Sequence, residues 1–91
     1  MIKAIREIQE LTRSANLLVD NHGDMTAQSV YNEHRMLIAE FEVAKRKATS
    51  AIRGGSEDAQ GLLDATVECM LAINQAEDGL ELKHNRISTN L

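Results

Sequence analysis

AQSVYNEHRMLIAEFEVAKRKATSA, residues 27–51, decides the architecture. Within it Ala27, Val30, His34, Leu37, Phe41, Ala44, Ala48 and Ala51 recur at spacings of 3, 4, 3, 4, 3, 4 and 3. Alternating threes and fours keep one side of an α-helix turned toward a neighbour, as in the seam of a coiled coil. The alanines in the second half let that neighbour come close. The pattern predicts a helix over 25–53, roughly 43 Å long at 1.5 Å per residue. Asp24 is its expected N-cap, and Gly54-Gly55 ends it.

Outward from this stretch the periodicity repeats on both sides. Upstream, Ala4, Ile8, Leu11, Ala15 and Leu18 form one face of an amphipathic helix over 2–20, widened by Ile5 and Val19 and stopped by Asp20-Asn21-His22-Gly23-Asp24. Downstream, Ala59, Leu62, Thr66, Cys69, Ile73, Ala76, Leu80, Lys83 and Ile87 hold the register, predicting a third helix over 57–87 behind Ser56 as cap. Gly61 and Gly79 each weaken it by about 1 kcal/mol, and Asp78-Gly79 is where it would break. Cys69-Met70-Leu71-Ala72-Ile73 is apolar nearly all round, which marks this helix as the central one.

The chain has no Pro, no Trp, one Phe and one Tyr, and its seams are filled by Ala, Leu, Ile and Met. Nothing forbids long helices, and the expected class is all-α: a single three-helix domain over 1–91, dominated by a long antiparallel hairpin with coiled-coil-like packing. Short loops require antiparallel neighbours, with residue n of the second helix opposite roughly 110 − n of the third. Lys45 and Arg46 would then approach Asp64 and Glu68.

At 91 residues the chain buries a limited core, so partners or further copies would add to its stability. A first helix about ten residues shorter than its partners leaves the hairpin uncovered toward Gly54-Gly55. The apolar residues off the main seams, Met25, Met36, Val43, Leu63, Val67, Met70 and Leu71, are the expected interface, with self-association and another protein as partners. The cations Lys45, Arg46, Lys47 and Arg53, with Thr49, Ser50 and Ser56 among them, suit a small anionic ligand such as a nucleotide.

Other chemistry is sparse. Asp20, His22, Asp24, Glu81 and His84 fall at one end of an antiparallel bundle, and Glu81-x-x-His84 has ligand spacing. The core register around them is apolar, and no metal is expected. His34 interrupts the seam as a satisfied core residue. Cys69, expected opposite Phe41, forms no dyad with His34 and has no partner for an intrachain disulfide. No phosphate-binding glycine loop, serine triad or metal-grade Cys/His spacing occurs, so neither catalysis nor a cofactor is expected. The net charge of −4 and the scarcity of aromatics disfavour double-stranded nucleic acid. No apolar run spans a membrane and no signal peptide opens the chain, so a cytoplasmic protein is expected.

Tyr31-x-x-x-Arg35, followed across the hairpin by Glu68-Cys69-Met70-Leu71-Ala72, is similar over a handful of positions to the helical hairpin of phage cyclic-nucleotide sponges. The spacing to the loop departs from theirs by about one helical turn. The resemblance implies an oligomeric binder of a small anionic ligand. It stands as the alternative to a helical adaptor, inhibitor or assembly subunit.

Overall fold

The computed structural model of the chain describes residues 2–82. It is all-α: α1 (Ile2–Asn21), a 3₁₀ turn (His22–Asp24), α2 (Ala27–Arg53) and α3 (Ala59–Gly79) pack on one another, with no strand among the described residues. α1 and α2 run antiparallel, as do α2 and α3, so α1 returns parallel to α3. The contact between α1 and α3 is the most extensive of the three.

Helix ends follow local chemistry. α2 starts two residues later than the periodicity predicts, because Thr26 and not Asp24 is the cap. Its Oγ1 accepts from the Ser29 amide at 3.1 Å while Asp24 lies in the 3₁₀ turn. α2 ends at Arg53 as expected. Gly55 takes φ +80°, the Ser56 amide donates to the Ala51 carbonyl, and the Gly55 amide donates to that of Ile52. This is a Schellman closure, with glycine at the position where a Cβ is penalised. α3 begins at Ala59. Ser56 still serves the turn before it, its Oγ accepting from the Asp58 amide and its carbonyl from the Ala59 amide.

α3 does not continue to 87. It stops at Gly79 with the same closure, the Leu82 amide donating to the Glu77 carbonyl at 2.8 Å and that of Glu81 to the Asp78 carbonyl. Here the left-handed residue is Glu81, at φ 60°. Gly79 weakens the last turn, and folding back lets Leu80 and Leu82 pack on the core. Lys83, His84 and Ile87 lie outside the described residues.

The core follows the seams. Ile8, Ala15 and Leu18 of α1, and Val30, His34, Leu37, Phe41 and Ala48 of α2, are buried against α3. α3 is the central helix. It buries Leu62, Ala65, Thr66, Cys69, Met70, Ala72, Ile73, Asn74, Ala76 and Glu77. Ala27, the first seam position, is exposed. α3 has 21 residues and α1 has 20, so α1 is short only relative to α2, which has 27. A Cβ at Gly61 would stand 3.2 Å from Ile5 Cδ1, so α1 reaches nearly to the start of α3 and packs closely there. Toward the Gly54-Gly55 loop α1 covers the Gly61 side of α3, while the side facing α2 keeps a cleft lined by Ile52 and Leu63; Leu62 and Met70 are buried.

Candidate functional site

Adjacent residues on a helix point about 100° apart. The run Lys45-Arg46-Lys47 must therefore diverge, and it divides between two grooves on either side of α2. Lys47 lines the groove between α1 and α2, with Glu7, Glu10 and Glu40 around it and Leu11, Ala44 and Val43 along its floor and edge. Lys45 and Arg46 lie on the other side, where they line a surface concavity with Thr49, Ser50 and Arg53. Lys47 is thus corrected out of the predicted cationic cluster.

Thr49 and Arg53 also line a second hollow, a cleft of about 170 Å³ between α2 and α3. Its remaining walls are Ala48, Ile52, Leu63 and Thr66. The Thr66 hydroxyl donates to the Leu62 carbonyl at 2.6 Å, so it is engaged within its own helix. The cleft is apolar and opens beside a guanidinium. No carboxylate lines either the cleft or the concavity beside it.

The expected rim pairs do not form. Among the described residues the ion pair is Arg13 with Glu10, one turn apart at 3.6 Å and solvent-exposed, and pairs of that kind contribute about 0–0.5 kcal/mol. Asp64 instead accepts from Gln60 Nε2 at 2.8 Å. Glu77, which the seam of α3 does not include, is buried with Asn74. Periodicity had not marked Asn74 for the interior either.

The predicted interface residues scatter. Met70 is only 4% exposed and belongs to the core, on the same side of α3 as Leu63 and Thr66, which line the α2/α3 cleft. Leu63 is half-buried in the α2/α3 cleft, and Val67 is half-buried one turn on. Met25 is half-buried in a hollow at the opposite end, with Val30, Leu80 and Leu82. Leu71 is exposed on the outer side of α3, apart from the others. Met36 and Val43 remain exposed on α2 at 56% and 47%. Leu17, 49% exposed on α1, joins them. Glu10 and Ser14 of α1 and Glu40 and Val43 of α2 line one groove, and by helical spacing Leu17 follows Glu10 and Ser14 while Met36 precedes Glu40 and Val43 on the antiparallel partner. Its neighbour Leu18 satisfied the α1 seam, which left Leu17 unmarked; two leucines in succession were the available signal.

His34 is fully buried, and its Nε2 donates to the Ile73 carbonyl at 3.0 Å, which makes it a core residue tying α2 to α3. Cys69 is fully buried as well. Desolvation holds its thiol above the ordinary value, with a smaller lowering from side-chain hydrogen bonding with Thr12 and a further rise from the charge of Glu68. Such a thiol is a poor nucleophile. Tyr31 and Arg35 stack one turn apart, 5.8 Å from guanidinium carbon to ring centre. His22 Nδ1 bonds the Val19 carbonyl within its own helix end, and His84 lies outside the described residues. Among the described residues no group of three His, Cys, Asp or Glu side chains could hold a metal ion, and no helix is long and apolar enough to cross a membrane.

No family model, curated protein or solved structure matches the chain.

Proposed function

We propose that this protein is a helical interaction module of the cytosol that acts by binding, and that it self-associates through the face formed by α1 and α2. The observation that carries this reading is the exposure of Leu17, Met36 and Val43, each about half exposed and set by helical spacing along the two sides of the α1/α2 groove. An exposed apolar strip bordered by charged residues is the signature of a contact surface. A second copy suits it because the chain is small and gains the most from added burial. The groups capable of chemistry support binding over catalysis: Cys69 is sealed in the core and His34 is committed to the Ile73 carbonyl.

Light scattering on the eluting protein should report more than one copy at micromolar concentration. Met36→Glu with Val43→Glu should give a monomer of unchanged helix content, whereas Leu71→Glu, on the outer side of α3, should leave the assembly intact. A chain that stays monomeric at hundreds of micromolar would remove the proposal.

A further inference from the structure

The α2/α3 cleft and the basic concavity beside it share Thr49 and Arg53. They therefore form one continuous recess with an apolar part and a cationic part. We propose that this recess is a binding site for a small amphiphilic anion, carrying one oxyanion head group and an apolar body of about six carbon atoms.

The size of the body follows from the cleft. At about 170 Å³ it is close to the ~150 Å³ at which an apolar protein cavity accepts benzene. Its walls, Ala48, Ile52 and Leu63, offer dispersion contacts, and the engaged Thr66 hydroxyl asks for no polar partner. The head group follows from the rim. Lys45, Arg46 and Arg53 stand within about two turns of one helix and form no ion pair among the described residues. Arg53 brings a planar fork of donors suited to a carboxylate or phosphate, and the Thr49 and Ser50 hydroxyls add further donors.

The two grooves differ in how their cations are compensated. In the α1/α2 groove Lys47 is matched by three glutamates, so an incoming anion finds no net attraction. In the recess the lining residues contribute three cations and no carboxylate. Asp64, next to Leu63 in sequence, is held by Gln60. The chain carries a net charge of −4, so whatever attracts an anion here is local. The Ser50, Ala51 and Ile52 carbonyls at the end of α2 already accept from Gly54, Ser56 and Gly55. Arg53 is therefore not needed to cap its own helix. This site lies on the other side of α2 from the proposed self-association face and stands independently of it.

The test is titration of the ¹⁵N-labelled full chain with hexyl phosphate, followed by amide shifts, with inorganic phosphate and hexanol as half-ligands. Hexyl phosphate should give saturable shifts clustered at Thr49, Arg53, Leu63 and Thr66, and should bind at least about tenfold more tightly than either half-ligand. Arg53→Gln and, separately, Arg46→Gln should weaken it, Arg53→Gln by about tenfold or more. Lys47→Gln should leave it unchanged. Inorganic phosphate binding as well as hexyl phosphate would overturn the amphiphile, as would hexanol doing so. Equal losses from Lys47→Gln and Arg53→Gln would reduce the site to general charge, and no saturation by about 10 mM ligand would remove it; dissociation constants in this range already mark weak binding.

Discussion

α2 presents Lys47 to one groove and Lys45, Arg46 and Arg53 to the other, and the two sides end up chemically opposite. Toward α1 the lysine is ringed by Glu7, Glu10 and Glu40, and the same side continues into the exposed Leu17, Met36 and Val43. Toward α3 no carboxylate lines the hollows that the cations border, and the apolar surface is recessed into a cleft instead of standing out. A neutralised rim with protruding apolar side chains suits another protein surface. An uncompensated rim beside a hollow suits a small anion. One helix can serve both because its faces are set by angle, not by local composition.

Both grooves rest on one layer of core, and the largest test asks whether that layer is where the packing places it. Phe41 is 0% exposed. Phe41→Ala should cost about 3–5 kcal/mol, from lost burial and the cavity left behind. For a domain of this size that lowers the melting temperature by well over ten degrees, or unfolds it. Glu42 is half-buried and so is an imperfect control; Glu40, exposed beside the α1/α2 groove, is the better one, and Glu40→Ala should change stability little. Denaturant unfolding of the pair measures both. Equal and small effects would dissolve the distinction between the two grooves along with the seam.

A smaller effect sharpens where the α2/α3 pairing ends. Both ends of α2 and α3 that close by a Schellman turn need a left-handed residue, supplied by Gly55 at one and Glu81 at the other. A residue with a Cβ held in that conformation costs roughly 1 kcal/mol relative to glycine. Glu81→Gly should therefore stabilise the protein by about that amount, while Gly55→Ala should destabilise it similarly. If Glu81→Gly instead weakened the fold, α3 would continue past Gly79 as its periodicity first indicated.

The smallest effect reads the electrostatic contrast directly. Lys47→Glu places a fourth carboxylate in the α1/α2 groove and should cost a few tenths of a kcal/mol, recovered at high salt. Arg46→Glu relieves crowding among Lys45, Arg46 and Arg53 but sets a carboxylate one turn from Glu42, so the two effects should nearly cancel. Matching losses in melting temperature at low ionic strength would show that the two sides of α2 are not electrostatically distinct.

The three helices, their seams and the antiparallel turn at Gly54-Gly55 were legible in the sequence. They depend on spacing along the chain and on residues such as Gly55 whose backbone preference is local. His34, Leu37 and Phe41 are buried as their register demands. What only the tertiary structure decided is which sector around each axis a neighbour fills. Lys45 and Lys47, two residues apart, face different grooves. Met70 is buried on the side of α3 that Leu63 and Thr66 turn toward α2, and Leu17 is exposed because Leu18 takes the inward position. The end of α3 belongs to the same class. Continuing the helix and folding back differ by about 1 kcal/mol locally, at Gly79 and Glu81, and the packing of Leu80 and Leu82 on the core tips the balance. Periodicity states that a face exists. Where the other two axes stand determines what that face meets, and that information is shared among all three helices.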